Sequence, residues 1–439
     1  MSSDLNTQTK EQRPWRLALL WLMLLGPGFF IFYGAANHYT ASLPAADIGN
    51  IVMAWERHIP LWPWTIVPYW SIDLLYGISL FICTSRAELN SHAKRLLATS
   101  LLSCLFFVLF PLRFSFERPE LDGAFGQLFT LLMGFDKPFN QAPSLHIGLL
   151  TVLWLRYHAH VPTRWQPLLH LWFALIGLSV LTTWQHHFWD VPSGFLLGFI
   201  VCYLLPTPGV SLFSALGKPR QNTPKLALRY FAGALLLSLS ITYLQGWAWL
   251  LLWPVTSLLI LCAAYLGLGP QVMQKDCGQR RFAAQVLLLP YSFVTQRVHR
   301  YLLKSLPGAE EISQGVWLGP ISAATDPRFK SVLDLAAEYD RQAPATVIYH
   351  SCPLLDLQLP DQQTLQHCVR TLQGLPQPVL VHCALGLTRS AAVVLAWLVV
   401  SQQAKDMNEA REILLRKRSH FILSEAQLNQ LALLCDGIK

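Results

Sequence analysis

Long apolar blocks fill the chain up to about residue 270, and short apolar runs alternate with charged stretches in the remainder. Each long block approaches the roughly twenty residues that an α-helix needs to cross the hydrocarbon core of a bilayer. The remainder has the short strand-like and helix-like runs of a soluble α/β domain. The pattern therefore predicts about eight membrane-spanning helices, at residues 17–36, 61–83, 96–112, 145–157, 168–184, 191–205, 226–244 and 247–268.

Lysine and arginine residues concentrate before the first block and in every second loop after it. Because cytoplasmic loops carry an excess of these residues, the N-terminus and the C-terminal domain are both predicted to be cytoplasmic. The loops at 113–144 and 185–190 then lie on the extracytoplasmic side. We expect a multi-pass protein of the cell inner (cytoplasmic) membrane.

The segment 282–304 is also apolar, but Pro290 interrupts it and Arg297, Arg300 and Lys304 gather near its end. Since proline disfavours a helix interior, we expect an interfacial helix that leads into the soluble domain. Three regions follow: a membrane domain at 1–210, two extra spans with a linker at 211–305, and a soluble domain at 306–439.

The composition agrees with a membrane protein. Of the 439 residues, 53% are hydrophobic and 13% are charged, and a soluble domain carries about twice that charged share. A disordered chain and an ordinary cytosolic enzyme are therefore excluded. The net charge of +8 reflects basic loops between apolar blocks, so nucleic acid is not an expected partner. Nine cysteines are too few for a disulfide scaffold.

A short buried-strand run at 379–381 is followed by His-Cys-Ala-Leu-Gly-Leu-Thr-Arg-Ser at 382–390 and by an apolar helical run at 391–400. A strand, a tight loop and a helix N-terminus together make a cradle for an anion, because the loop N–H groups point inward. Gly386 lets the backbone turn, and Arg389 offers a planar fork to two phosphate oxygens. The helix dipole and the N–H groups lower the pKa of Cys383, which is then able to attack as a thiolate.

This C-x5-R loop resembles that of the dual-specificity, protein-tyrosine-phosphatase-like family, and the resemblance extends over residues 306–439. The segments 316–320 and 332–335 agree with it. It implies an α/β domain with a central sheet flanked by helices, and a phosphocysteine intermediate on Cys383. It also implies that Ser390 assists release of the thiolate and that His382 shapes the loop. The implied phosphate-binding residues are Ala384, Leu385, Gly386, Leu387, Thr388 and Arg389.

The family's general acid is an aspartate on a loop that precedes the cysteine. Asp356 is the expected residue, and Asp361 is the alternative. The resemblance implies a phosphomonoester substrate, either phosphotyrosine, phosphoserine or phosphothreonine in a protein or a phospholipid headgroup. No cofactor and no metal ion are expected.

Polar residues also interrupt the apolar blocks on the predicted extracytoplasmic side. They form three groups, namely Arg113 with Arg118-Pro119, Pro143-Ser144-Leu145-His146, and His186 to Asp190. Ionisable residues at bilayer level are costly and indicate a functional site. The i, i+4 spacing of His186 and Asp190 lets the carboxylate orient the imidazole from one helical face. Asp73 lies within a predicted span and is either a further site residue or a buried structural one.

These groups resemble the motifs of the type 2 phosphatidic acid phosphatase (PAP2) superfamily over residues 60–206. The resemblance implies a PAP2-like helical core. It also implies that His186 is a nucleophile oriented by Asp190, and that His146 protonates the leaving alcohol. Arg118 and Ser144 would bind phosphate.

Two cationic positions of these motifs are altered, with Pro111 in place of a lysine and Val180 in place of an arginine. The branch that includes the inositol-phosphorylceramide and sphingomyelin synthases keeps the two histidines and the aspartate without that arginine, and this chain is most similar to it. A phosphodiester headgroup is the favoured substrate.

Two hypotheses remain for the whole chain. In the first, an extracytoplasmic lipid phosphatase or headgroup transferase is fused to a cytoplasmic Cys-based phosphatase. In the second, only the cysteine domain catalyses, and the PAP2-like region is an inert, lipid-binding anchor. Both hypotheses make membrane lipids partners, together with a phosphorylated lipid or protein as substrate.

Overall fold

The computed structural model describes residues 13–134, 136–207, 212, 223–418 and 420–438. The structure is mostly helical, at 64%. The chain divides into two compact units, the first at Met1–Gly209 with Leu244–Leu250 and the second at Val210–Tyr243 with Leu251–Lys439. The boundary predicted between residues 210 and 211 falls outside the described residues, and the three predicted regions stay a prediction.

The first unit is helical. Its central helix, α5 (Leu145–His160), packs against α2 (Ile66–Phe81), α3 (Arg86–Leu109), α6 (Gln166–Thr182) and α7 (Asp190–Leu204). Helix α7 approaches the start of α5 closely at Gly194. A Cβ added to this glycine would lie only 2.6 Å from the carbonyl oxygen of Ser144. The helices are α1 (Trp15–Ser42), α2 (Ile66–Phe81), α3 (Arg86–Leu109), α4 (Gly123–Met133), α5 (Leu145–His160), α6 (Gln166–Thr182) and α7 (Asp190–Leu204).

Helix α4 lies in the segment 113–144, which was predicted to be a loop because the apolar run there is too short for a span. The eight predicted spans each contain a helix, although α2, α5 and α7 have only 15 or 16 residues. Five helices in the described part of the chain are long and apolar enough to cross a membrane, which is compatible with a membrane protein. They are Trp15–Ser42, Arg86–Leu109, Thr163–Thr182, Pro224–Leu244 and Gly246–Met273. The predicted count and orientation stay predictions.

The second unit begins with two further apolar helices, α8 (Pro224–Leu244) and α9 (Leu252–Ala263). A small antiparallel hairpin follows, with strands β1 (Lys275–Asp276) and β2 (Gln279–Arg280). The expected interfacial segment forms two consecutive helices, α10 (Phe282–Leu287) and α11 (Leu289–Leu302). Pro290 stands in the first turn of α11, where its missing N–H costs no hydrogen bond.

A five-stranded sheet forms the centre of the C-terminal domain, with strand order β3-β4-β7-β5-β6. Strand β3 pairs antiparallel with β4, and the other three pairings are parallel. The buried apolar helix α13 packs on the central strand β7, whose five residues are all buried. The elements are β3 (Glu310–Ser313), β4 (Val316–Pro320), β5 (Ser331–Ala336), β6 (Ile348–Leu354), α12 (Gln362–Gly374), β7 (Val379–Cys383), α13 (Arg389–Val400), α14 (Met407–Lys417) and α15 (Glu425–Asp436).

Because β7 is central and parallel to its neighbours, its carboxyl end carries Cys383 to the edge where the loops after β4, β5 and β6 also begin. That edge is where parallel sheets bind ligands.

Candidate functional sites

The loop at residues 384–388 connects β7 to α13 and passes close to the end of β4. Gly386 has a φ of +73°, and a Cβ there would lie 2.6 Å from the carbonyl carbon of Gly319. No other residue fits this conformation and this contact without a shift of the backbone. The N–H of Ile321 also donates to the carbonyl oxygen of Ala384, at 3.2 Å. The loop is therefore fixed from outside, as an anion cradle requires.

Cys383 is 3% exposed, and its Sγ lies 3.4 Å from Oγ of Ser390. Burial alone would raise the pKa of this thiol. The charge of Arg389 and hydrogen bonds from the side chain and backbone of Ser390 outweigh that effect, so the pKa lies below its ordinary value. The sequence predicted this direction, which favours a nucleophilic thiolate.

Arg389 is the first residue of α13 and is 1% exposed. Its two terminal nitrogens donate to the carboxylate oxygens of Glu338, each at 2.7 Å, and Nη1 also donates to the carbonyl oxygen of Leu354 at 3.0 Å. Within the described residues, Nε of Arg389 is buried without a hydrogen-bond partner. This donor is left for a ligand.

Glu338 is a site residue that the sequence reasoning missed. It lies two residues beyond the end of β5 and is buried. Burial would raise the pKa of its carboxyl, but the charge of Arg389 and the hydrogen bonds from that guanidinium lower it below the ordinary 4.5. A glutamate just beyond an apolar, strand-like run was the available signal, since a charge that is buried there needs a partner.

The two candidate acids lie in different settings. Asp356 lies beyond β6, and its carboxylate is 3.2 Å from Nη2 of Arg389 with a side-chain exposure of 34%. Asp361 caps α12, where Oδ1 accepts a hydrogen bond from the N–H of Thr364 at 2.8 Å. The geometry brings Asp356 to the cradle and gives Asp361 a local structural role.

His382 lies behind the loop, as the resemblance implied. Its Nδ1 is 3.2 Å from the carbonyl oxygen of Cys383, and Nε2 is 3.8 Å from Asp334. Asp334 in turn accepts hydrogen bonds from Lys275 at 2.7 Å and from the hydroxyl of Tyr349 at 2.6 Å. This network supports the strand that ends in the nucleophile.

In the first unit, the structure brings together three of the residues predicted for the PAP2-like site. Nδ1 of His186 lies 3.0 Å from the Asp190 carboxylate, and Nε2 lies 3.1 Å from Oγ of Ser144. The same carboxylate accepts a hydrogen bond from the N–H of His187 at 2.9 Å. His186 thus has one nitrogen oriented by a carboxylate and the other at the start of α5.

His146 stacks on Tyr69, with ring centroids 4.2 Å apart. It interacts electrostatically with His186. Its Nε2 belongs to a group of buried side-chain atoms with no hydrogen-bond partner in the described part of the chain. The others between residues 140 and 190 are Nδ2 and Oδ1 of Asn140, Oε1 of Gln141, Nε2 of Gln185 and Oδ1 of Asp190, together with Nε of Arg156 further along α5. Unpartnered buried polar atoms are rare in folded proteins, and a group of them suggests a place for a polar ligand.

Arg118 is held by backbone carbonyls. Nε and Nη2 donate to the oxygens of Thr183 and Trp184, at 3.1 and 2.8 Å. Pro111 and Val180 stand where the motifs have a lysine and an arginine. Pro111 is half-buried, and Val180 is buried within α6. Arg113 is exposed. Asp136 is buried nearby, accepts from the hydroxyl of Tyr33 at 2.5 Å, and interacts electrostatically with His186 and Arg118.

Two neighbouring residues have other roles. His187 is fully buried between Glu56, 2.8 Å from its Nδ1, and the hydroxyl of Ser115, 3.2 Å from its Nε2. It is a structural neighbour of the site. Asp73 is exposed on α2 and interacts electrostatically with Asp136 and Tyr69, so it borders the same group of residues.

Comparisons with known proteins concern the C-terminal domain. Residues 319–435 match the family model of the dual specificity phosphatase catalytic domain. Among solved structures, Tk-PTP in the active form is 25% identical with a TM-score of 0.26, and covers 30% of this chain and 97% of its own. PTPMT1 in complex with PI(5)P is 23% identical with a TM-score of 0.27, and also covers 30% of this chain and 97% of its own. Human DUSP28 is 20% identical with a TM-score of 0.26, and covers 30% of this chain and 95% of its own.

No curated protein matches the chain. The family match confirms the predicted dual-specificity phosphatase domain and supports phosphoric ester hydrolase activity.

Proposed function

We propose that the chain is a membrane-bound phosphomonoesterase that forms a phosphocysteine on Cys383. The observation that carries this proposal is the buried thiol with a lowered pKa at the mouth of a rigid loop, beside an arginine with an unpartnered Nε. An inert phosphate-binding loop would not need an activated thiolate.

In the first step, the Cys383 thiolate attacks phosphorus and the bond from phosphorus to the leaving-group oxygen breaks. Asp356 gives its proton to that oxygen, so the alcohol or phenol leaves neutral. The loop N–H groups and Nε of Arg389 stabilise the charge on the transferring phosphoryl oxygens. Glu338 holds the guanidinium in place through two hydrogen bonds.

In the second step, water attacks the phosphocysteine. The Asp356 carboxylate takes a proton from that water, the bond from sulfur to phosphorus breaks, and inorganic phosphate leaves. The hydroxyl of Ser390, 3.4 Å from Sγ, donates to the departing thiolate. The enzyme returns to its starting protonation state.

Turnover of an aryl phosphate by the purified full chain tests this function. Vanadate, which mimics the transition state of phosphoryl transfer, is expected to inhibit it. Absence of aryl phosphatase activity under conditions where the protein is folded would contradict the proposal.

We further propose that the His146, His186 and Asp190 site acts on lipid phosphate esters, with phosphodiesters favoured over phosphatidate. The oriented His186 and the unpartnered buried polar atoms around it support a ligand site. A phosphomonoester carries close to two charges and needs several cations, whereas a diester carries one. Arg118, already bonded to two carbonyls, is the cation retained from the motif.

Purified Cys383→Ser protein, which lacks the other nucleophile, tests this second function with phosphatidic acid and labelled phosphodiester lipids in turn. Conversion of a diester that is lost in His186→Ala is expected. Fast release of phosphate from phosphatidic acid would contradict the diester preference. No reaction with any lipid would favour the inert-anchor hypothesis.

The two sites are proposed to face opposite sides of an inner membrane, with the phosphatase domain cytoplasmic. Among the described cysteines, only Cys277 is exposed, so the Cys277→Ser variant removes the native thiol that would otherwise react with the labelling reagent. Glu120→Cys and Glu412→Cys introduce exposed thiols in the first unit and in α14. An impermeant thiol reagent is expected to label the first from outside the cell and the second only after lysis. Labelling of both from one side would contradict the topology.

A further inference from the structure

Apolar helices of the second unit pack directly on the segments that carry the catalytic carboxylates. Leu355 and Ala337, the neighbours of Asp356 and Glu338, are buried in one cluster with side chains of the segment Gly246–Met273. The hydroxyl of Tyr265, from that segment, donates to the carbonyl oxygen of Asp356 at 3.0 Å. The segment is apolar and long enough to cross a membrane. Part of the wall around the active site is therefore an apolar helix end.

This end of the helices is joined to the Asp356 loop by ring stacking and hydrogen bonds. Tyr265 stacks on Tyr230 of α8, with ring centroids 5.5 Å apart and planes 10° apart. Thr223, just before α8, donates its N–H to the carbonyl oxygen of Tyr265 and accepts a hydrogen bond from Gln358 at 2.6 Å. The Asp356 loop thus meets α8 and the Gly246–Met273 segment near the ends of these apolar helices.

Helix α11 has two distinct faces. Its inner face is anchored to the second unit, since Ser292 accepts from Arg280 at 3.0 Å and His299 lies 2.8 Å from the hydroxyl of Tyr339. Its outer face presents exposed apolar side chains at Phe293, Val294, Val298 and Tyr301, with the basic residues Arg297, Arg300 and Lys304 beside them. An amphipathic helix of this kind lies in the plane of a bilayer surface and is drawn to anionic lipids.

A cavity of about 280 Å³ lies under α11. Its polar lining includes Gln296, His299, Arg300, Ser322 and Tyr339. Two of its lining residues are chain neighbours of residues that support the catalytic loop. Ser322 follows Ile321, whose N–H donates to the carbonyl oxygen of Ala384, and Tyr339 follows Glu338, which accepts hydrogen bonds from Arg389. His299 also interacts electrostatically with the catalytic residues Asp356 and Arg389.

We infer that the Cys383 site takes a lipid phosphomonoester that remains in the bilayer, with its polar headgroup in the cavity under α11. The inference rests on the proposed phosphatase function and names its substrate class. The acyl chains stay beside the apolar helices, while the phosphoryl group reaches the cradle from the interface. Hydrolysis by the two steps given above releases inorganic phosphate and leaves a lipid alcohol in the membrane. A phosphopeptide would use neither the apolar helix end nor the outer face of α11.

The test uses full-length His186→Ala protein, in which the PAP2-like site is silenced. A phosphatidylinositol monophosphate in phosphatidylcholine vesicles is the lipid probe, a phosphotyrosine peptide is the protein probe, and an aryl phosphate measures the chemistry alone. We expect kcat/KM for the vesicle lipid to exceed that for the peptide at least about tenfold, because binding to the surface concentrates the enzyme on its substrate. Cys383→Ser is expected to remove all three activities.

Val294→Asp places a charge on the outer face of α11, at an exposed position that does not disturb the core. The ratio of vesicle-lipid activity to aryl-phosphate activity is expected to fall about tenfold, since one apolar side chain is lost from the bilayer contact. The matched control is Leu433→Asp, which changes an exposed leucine on α15. It is expected to leave that ratio unchanged.

Arg300→Gln is expected to raise KM for the lipid, and Arg416→Gln on α14 is its control.

The possible failures are distinguishable. Aryl phosphatase activity with peptide turnover equal to or faster than lipid turnover would overturn the inference and leave the phosphatase function intact. Equal effects of Val294→Asp and Leu433→Asp on the ratio would also overturn it. Loss of aryl phosphatase activity in the His186→Ala protein itself would contradict the proposed function as well as the substrate class.

Discussion

The two candidate sites are assembled in opposite ways. The cysteine site takes its nucleophile, its loop and its arginine from one unbroken segment, residues 383–390, between a strand and a helix. The PAP2-like site collects Ser144 and His146 at the start of α5, and His186 and Asp190 around the start of α7. A continuous segment fixes its own geometry through the backbone, whereas a dispersed site depends on helix packing.

The two sites also balance charge differently. Arg389 is a fully buried cation that pairs with Glu338 and lies 3.2 Å from Asp356. Arg118 is half-buried and bonds mainly to neutral carbonyls. We therefore expect the cysteine site to accept a doubly charged monoester and the PAP2-like site to accept a singly charged ester. The comparison becomes sharper when each site is removed separately.

The largest expected effect comes from the nucleophiles. Cys383→Ser is expected to reduce aryl phosphate turnover to background, because a serine hydroxyl at this position is not ionised near neutral pH. His186→Ala is expected to leave that activity unchanged, since His186 belongs to the other site. Steady-state kinetics of both full-length variants provide the check, with Cys277→Ser as the cysteine control.

Removal of the general acid is expected to have the next largest effect. Asp356→Asn is expected to slow turnover of a poorly activated ester by about 10²–10⁴-fold, the usual contribution of general acid–base catalysis. The variant is expected to keep the fall of kcat/KM toward acidic pH that comes from protonation of the Cys383 thiolate, because that thiol, whose pKa lies below the ordinary 9.0, is unchanged.

Asp361→Asn is the matched control, and asparagine caps helices as well as aspartate does. Near-normal turnover is expected for it. If this variant loses activity while Asp356→Asn keeps it, the assignment of the two carboxylates is reversed.

A smaller effect, on stability, is expected from Glu338→Gln. Because the Glu338 carboxyl has a lowered pKa in the folded protein, its pairing with Arg389 stabilises the fold above pH 4.5 and is lost as the pH falls through the lowered value. Removal of one partner from a buried pair costs about 3 kcal/mol at neutral pH. The difference from the unsubstituted protein is expected to narrow below pH 4.5.

Thermal unfolding in detergent at pH 7 and pH 4 measures that difference. Glu412→Gln, which breaks an exposed pair with Arg416, is expected to change stability by at most about 0.5 kcal/mol. Equal effects of the two substitutions, or no pH dependence, would contradict the role given to the Glu338–Arg389 pair.

The same contrast explains what the sequence was able to predict. The cradle was predictable because Cys383, Gly386 and Arg389 are close in the chain and follow a strand pattern. Glu338 was not, since it reaches the site from the loop after β5 and its partner is 51 residues away. The sequence favoured Asp356 as the general acid and left Asp361 as the alternative. Only the fold separates an aspartate that faces the arginine from one that caps a helix.

In the membrane region, apolar blocks identified the helices but not their ends. Hydropathy includes flanking residues that form turns, so the block predicted at 247–268 contains the shorter helix Leu252–Ala263 with irregular turns on both sides. Helix α4 was missed because eleven residues give too short an apolar run. The contact between Tyr265 and the Asp356 carbonyl joins segments 91 residues apart, and no periodic pattern encodes such a contact.

The most direct test of the account is the identity of the covalent intermediate. Full-length Asp356→Asn protein is mixed with an aryl phosphate, whose good leaving group needs no general acid, and the reaction is stopped with acid within its first turnover. Mass spectrometry then locates the phosphoryl group. The account predicts a phosphoryl adduct on Cys383 that is absent from a sample carrying Cys383→Ser as well. Turnover without an adduct on Cys383, or an adduct that persists when Cys383 is replaced, would contradict it.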